Sequence, residues 1–207
     1  SSIEQVQALL SMAAKKKMSL EPAKILVETL DKDRKGTRIA TYKELLRYCY
    51  GVASTVGLMM CDIFSVKDKT AYPFAIDLGI ALQLTNILRD VKKDSQAGRI
   101  YLPQEDLKRF NYSETDLMAN VYNQNFKDLM KFESEIATRY FDNATRDLDL
   151  DDKPAMFAAR AMQHIYFKLL EKIIDAEYNV YQKNIKVSNL EKVGISVGVW
   201  AKYSLVY

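Results

Sequence analysis

Residues 74–94 read FAIDLGIALQLTNILRDVKKD. Apolar residues fill most of this run, and the polar ones fall in register. Gln83, Asn86, Asp90 and Asp94 stand at i, i+3, i+7 and i+11, which at about 100° per residue places two amides and two carboxylates in one stripe along a helix. A helix apolar on its other faces belongs in a helical core, where a carboxylate stripe is costly unless a cation neutralises it. Asp90 and Asp94 offer hard oxygen ligands whose spacing suits Mg²⁺, an ion that takes one or two protein carboxylates and leaves its other positions to water and phosphate. No His or Cys stands in the stripe, which argues against zinc. Arg89, beside the first carboxylate, and Arg99, just past the helix, are placed to hold phosphate oxygens through paired N–H donors. Acids and arginines together imply a phosphorylated ligand. An Asp-x-x-x-Asp pair alone is ordinarily a solvated face. Asp147 and Asp151 repeat the spacing in RDLDLDDKP, between two helices, where acids cap N–H groups. The apolar surroundings and the Gln83/Asn86 continuation set the first pair apart.

On either side of this helix, turn formers are scarce. Only 7 Gly and 4 Pro in 207 residues are too few for an all-β or doubly wound fold, and the length fits one domain with its own core. The 3.6 period and the cap signals predict an all-α chain with helices over 3–14, 20–31, 41–64, 71–95, 113–119, 121–149, 153–184 and 189–205. Thr41 with Glu44 reads as a capping box, Ser113 with Asp116 as another start, and Asp152 before Pro154 as a third. The longest irregular stretch runs from Ser95 to Tyr112.

The net charge of +3 comes from interleaved acids and bases, so nucleic acid is not an indicated partner, and Lys15-Lys16-Lys17 reads as solvated surface. Cys49 and Cys61, twelve positions apart on one predicted helix, stand roughly 18 Å apart and cannot pair. Two free thiols and no export signal point to a reducing, cytoplasmic setting, with membrane association left open. No apolar stretch is long and charge-free enough to span a bilayer. His164, the single histidine, has no acid or nucleophile at fixed spacing, and the scattered Met residues fill core gaps. The C-terminal VGISVGVWAKYSLVY either packs on the bundle, the expected arrangement, or lies on a membrane surface.

The segment QLTNILRDVKKDSQAGRIYLPQEDL, Gln83 to Leu107, resembles the second aspartate-rich region of squalene and phytoene synthases. Upstream, YCYGVASTVGLM, Tyr48 to Met60, resembles that family's other signature, and a looser likeness runs from about Leu20 to Val187. The resemblance implies the all-helical isoprenoid synthase bundle, with a central cavity for two prenyl chains and magnesium ions bridging diphosphates to acidic motifs on facing helices. It implies Asp90 and Asp94 as metal ligands, with Arg89 and Tyr48 in the reacting site. Gln83 and Asn86 would line the same site, Arg99 and Tyr101 would close over the diphosphates, and Tyr48, Val52 and Val56 would wall the hydrocarbon tunnel. Tyr166 and Lys183, the latter often arginine in the family, align with substrate-facing positions. Ser54 stands where the family commonly has glycine.

The family's first aspartate-rich motif is expected before Tyr48. Residues 1–41 hold only Asp31 and Asp33, in a polar DKDRKG turn. The chain thus reads as the C-terminal portion of such an enzyme, inactive without the missing N-terminal helices. The implied chemistry is Mg²⁺-dependent head-to-head condensation of two prenyl diphosphates, farnesyl or geranylgeranyl. No GxGxxG fingerprint for a nicotinamide cofactor is present. The alternative is a non-catalytic relative that keeps the fold for lipid binding or assembly. The missing motif favours that alternative, and the intact stripe opposes it.

Overall fold

The computed structural model describes residues 2–16, 18–34, 36–64, 66, 71–147 and 157–204. The expected cap at Asp152 and Pro154, the second acid of the Asp147/Asp151 pair, and Lys17 lie outside them. Every named element is helical: α1 (Ser2–Lys16), α2 (Glu21–Asp33), α3 (Tyr42–Cys49), a π-helical turn (Tyr50–Ser54), α4 (Thr55–Ile63), α5 (Ala71–Gln96), α6 (Gln104–Arg109), α7 (Glu114–Met118), α8 (Gln124–Asp147), α9 (Phe157–Asp175) and α10 (Asn189–Ser204). Among the described residues the one trace of sheet is an isolated parallel bridge between Arg38 and Ile100.

Helix α5 is the centre. It packs chiefly on α8, on another side against the π turn and α4, and also on α9. Phe74, Leu78, Ala81, Leu84, Ile87, Leu88 and Val91 are buried along it. Its 26 residues are long and apolar enough to cross a membrane, but these contacts make it a core helix. Thr85 and Ser95 are also buried, and their hydroxyls donate to the carbonyls of Ala81 and Lys92 at 2.8 and 2.9 Å, so burial leaves neither hydroxyl proton unpaired. At Gly79 α5 lies close against Ser54 of the π turn, whose hydroxyl donates to the Ile76 carbonyl at 2.7 Å.

Three expectations need correction. The helix predicted over 41–64 contains a π turn, which adds a residue to one turn and rotates the side chains of α4 relative to those of α3. The stretch 95–112 holds α6, opened by Pro103 and carrying Glu105 and Asp106 in its first turn and Lys108 and Arg109 in its last, a charge order that suits the helix dipole. The helix predicted over 153–184 ends at Asp175, because Glu177 and Tyr178 take left-handed backbone angles, φ 53° and 63°. That turn returns Tyr181 to the core, where its ring stacks on Phe126 at 4.7 Å and its hydroxyl meets that of Tyr112 at 2.9 Å. Lys183 therefore lies on an irregular segment. Of the expected caps, Thr41 accepts from the Glu44 N–H and Ser113 and Asp116 form a complete box.

One buried polar pair makes stability depend on pH. Asp106 on α6 and Glu133 on α8 are 6% and 2% exposed, and Asp106 Oδ2 and Glu133 Oε1 have no hydrogen-bond partner. Burial first, then the neighbouring Asp106 carboxylate, pushes the Glu133 carboxyl up to about 8. The folded protein thus holds a proton that the unfolded chain releases near its ordinary value. The stabilisation is full below the unfolded pKa and is lost as pH rises through the folded one. Glu133→Gln, which keeps a donor permanently, is expected to flatten the fall in Tm between about pH 5 and about pH 9. Parallel curves for the two proteins would contradict a proton held by Glu133 in the folded state.

Candidate active site

The stripe on α5 faces inward at a junction of polar and apolar surfaces. Asp90 and Asp94 side chains are 28% and 17% exposed. Arg89 grips its neighbour Asp90 with two donors, Nε to Oδ1 at 2.9 Å and Nη2 to Oδ2. Arg99, carried back by the turn at Gly98, stands 3.8 Å from Asp94. Burial raises the Asp94 carboxyl to about 6, with further upward pressure from Asp90 and Asp33 and opposing pressure from Arg99 and Lys93.

Asp33 is the residue that sequence reasoning missed. It ends α2 rather than sitting in a solvated turn, and its Oδ1 accepts from the Tyr101 hydroxyl at 2.7 Å and from Thr37 at 2.6 Å. Tyr101 in turn stacks on Tyr48 at 4.8 Å between ring centroids. Burial holds the Tyr48 hydroxyl up at about 12 and raises Tyr101 as well, so both stay protonated as donors. Nothing local ties Asp33 to the site, because the partner that does so, Tyr101, lies 68 residues away.

Below the acids lies an apolar cavity of about 390 Å³. Gln83 and Asn86 stand on its wall together with Val52, Val56, Ala75, Leu78, Leu82 and Tyr166, and Cys61, Phe64 and Phe74 line it further along α4 and α5. Tyr166 also reaches Arg89, which links the cavity to the charged end. Tyr48 is the exception among the expected wall residues. The i, i+4, i+8 spacing assumed an unbroken α-helix, and the π turn between Tyr48 and Val56 directs Tyr48 to the polar group at Tyr101 while Val52 and Val56 face the cavity. Lys183 is exposed and shares an open basic groove with Arg89, Asp90, Lys92 and Lys93.

Does this set fit a hard cation? Asn86 Oδ1 and Arg99 Nε are buried without hydrogen-bond partners, and Asp94 feels both Asp90 and Asp33, only partly offset by Arg99 and Lys93. An oxygen donor aimed inward, elevated Asp94 and acids without His or Cys nearby are what a magnesium–phosphate group would satisfy. The residues fit.

A half-buried acid stripe at the mouth of an apolar cavity, on the central helix of an all-helical bundle, defines an isoprenoid synthase fold. The chain belongs to the squalene/phytoene synthase family, whose model matches residues 2–191. It is 36% identical over 198 residues to a 15-cis-phytoene synthase of Synechococcus elongatus, covering 90% of this chain and 64% of that protein. With the 15-cis-phytoene synthase of Synechocystis sp. it shares 38% identity over 188 residues, 85% of this chain and 56% of the relative. A dehydrosqualene synthase crystal structure superposes with TM-score 0.78 at 30% identity, covering 92% of this chain and 67% of the other. A squalene synthase from Alicyclobacillus acidocaldarius gives 0.76 at 25% identity, covering 84% and 66%. The chain thus spans roughly three-fifths of the length of these two curated relatives.

Proposed function

We propose that this protein acts in the Mg²⁺-dependent head-to-head condensation of two prenyl diphosphates, with release of diphosphate. The observation that carries the proposal is the passage from Asp90 and Asp94, past Asn86 and Gln83, into a cavity walled by Val52, Val56 and Tyr166. The curated relatives are phytoene synthases, which favours geranylgeranyl over farnesyl chains. Two buried cysteines outside any disulfide fit a reducing, cytoplasmic setting.

Asp90 and Asp94 would hold the metal, which when bound supplies Lewis-acid charge to a leaving diphosphate. Arg99 and Arg89 offer guanidinium donors to phosphate oxygens, and Lys183 extends the cationic edge from the groove beside them. The Tyr48 and Tyr101 hydroxyls remain protonated and add neutral donors at the same end. The amides of Gln83 and Asn86 orient the first atoms of the chain, and the apolar walls keep water from the allylic cation.

The relatives are longer, and the family resemblance calls for a second acidic site that residues 1–41 do not contain. We infer that this site comes from outside the 207 residues. The test is diphosphate release from farnesyl and geranylgeranyl diphosphate with Mg²⁺ or with EDTA, using the complete gene product beside the 207-residue chain. Release by the complete product alone, and only with Mg²⁺, is expected. No release from a folded, helical complete product would favour a lipid-binding or assembly module that keeps the synthase fold.

A further inference from the structure

Asp33 is half-buried at the end of α2, and two hydroxyls share one of its oxygens: Tyr101 donates to Oδ1 at 2.7 Å and Thr37 at 2.6 Å. Gly36, with φ 91°, turns the chain between Asp33 and Thr37. The Thr37 bond closes that turn, whereas the Tyr101 bond ties it to the segment that follows α5. Backbone bonds align the two segments: the Ile39 N–H donates to the Ile100 carbonyl at 3.3 Å, and the Ile100 N–H donates to the Thr37 carbonyl at 2.9 Å. They do not fix the Tyr101 side chain. That side chain belongs to a residue only 6% exposed, and a hydroxyl so buried needs an acceptor. Asp33 supplies it while the ring lies stacked on Tyr48. Two residues before Tyr101 the same segment carries Arg99, 3.8 Å from Asp94.

We propose that Asp33 is a positioning residue for the departure of diphosphate, acting through Tyr101 to fix the segment that holds Arg99 at the acid stripe. The inference rests on the condensation proposed above. Among the described residues no three His, Cys, Asp or Glu side chains are grouped as a metal site, so Asp33 does not stand as a third ligand beside Asp90 and Asp94. What it offers is an oxygen for two hydroxyls. A guanidinium preset where charge gathers on the leaving group needs no reorganisation as the C–O bond breaks, and a displacement of about 1 Å can cost about a hundredfold in rate. Asp33→Asn keeps the shared oxygen and removes the charge. Asp33→Ala removes both.

The test uses the complete gene product and compares Asp33→Asn, Asp33→Ala, Tyr101→Phe and the double variant Asp33→Ala, Tyr101→Phe. Asp33→Ala is expected to lower kcat for diphosphate release at least about tenfold while the Mg²⁺ concentration for half-activation stays within about twofold. Hydrogen exchange at the Ile100 amide should quicken at least about tenfold in the same variant. Asp33→Asn should stay within about threefold of the parent in both readouts. Adding Asp33→Ala to Tyr101→Phe should lower kcat less than about twofold further, because both changes remove one contact. An Asp33→Asn protein as slow as Asp33→Ala, or a Mg²⁺ requirement raised about tenfold in either, would assign Asp33 to the metal and overturn the inference. Independent losses in the double variant would overturn it by showing that Asp33 does not act through Tyr101. Normal turnover in Asp33→Ala, or unchanged exchange at Ile100, would overturn this inference alone and leave the proposed function standing. A parent protein that releases no diphosphate would overturn the function, and with it the role of Asp33.

Discussion

Exchanging Asp90 and Asp94 for asparagine is expected to lower kcat for diphosphate release by at least about a thousandfold, roughly 4 kcal/mol of transition-state stabilisation. The helical circular dichroism should not change. The two amides keep the shape and most of the hydrogen-bonding capacity of the acids while removing the charge that would hold a cation. The fold itself gives no reason for loss of structure. Asp94 already resists ionisation because it is buried near Asp90 and Asp33, so a neutral side chain relieves repulsion in the metal-free protein, and its Tm should hold or rise above about pH 6. Arg89 loses the partner it grips at Asp90, but its side chain is 32% exposed, and a pair so open to solvent contributes little. Loss of turnover with retained or improved stability separates a catalytic metal site from a structural ion-pair cluster. Normal turnover in the double variant would remove Asp90 and Asp94 from the chemistry.

The second large effect is on stability. A methyl group at Gly79 would come within 2.6 Å of the Ser54 Cα and N and 2.8 Å of its hydroxyl oxygen. Two of these are backbone atoms of the π turn and cannot swing aside, so α5 must separate from its neighbour along the cavity wall. Helix propensity favours Gly79→Ala by about 1 kcal/mol, and the steric cost outweighs it. A net loss of about 3 kcal/mol, or about 10 °C in Tm, is expected. Gly194→Ala in α10 is the control. Nothing lies within 4 Å of the added carbon there, and the same propensity term should leave Tm unchanged or raised. If Gly79→Ala behaves like the control, the two helices are not in contact at that point.

The helical class and the shared face of the polar stripe were legible because both rest on local spacing. Gln83, Asn86, Asp90 and Asp94 share a face in any α-helix, and α5 is one without interruption. Three features were not legible, each for a physical reason. The π turn at Tyr50–Ser54 has no distinctive residue, so the regular spacing of Tyr48, Val52 and Val56 carries no sign that Tyr48 turns away from the other two. The end of α9 uses Glu177 and Tyr178 in left-handed conformation where Gly or Asn would have announced a stop. The gain from burying Tyr181 against Phe126 and Tyr112 is a tertiary effect. Asp33 joins the site only through Tyr101, which no local pattern reveals. By contrast, α6 was missed although its signal is local. Pro103 followed by acids and then bases is a helix signature, hidden inside a stretch whose Gly98 and Pro103 read first as turn signals.

Asp90 and Asp94 are the proposed cation site at the mouth of the apolar cavity, and Asp33 bears on Asp94 from the end of α2. The most direct test replaces Mg²⁺ with paramagnetic Mn²⁺ and follows the amide NMR spectrum of the chain in the presence of geranylgeranyl thiodiphosphate, which binds without ionising. Selective broadening from Asn86 to Asp94 and at Asp33, absent without the thiodiphosphate or in the Asp90→Asn, Asp94→Asn protein, is the predicted result. Broadening confined to exposed surface acids such as Glu177, or unchanged in that variant, would contradict it.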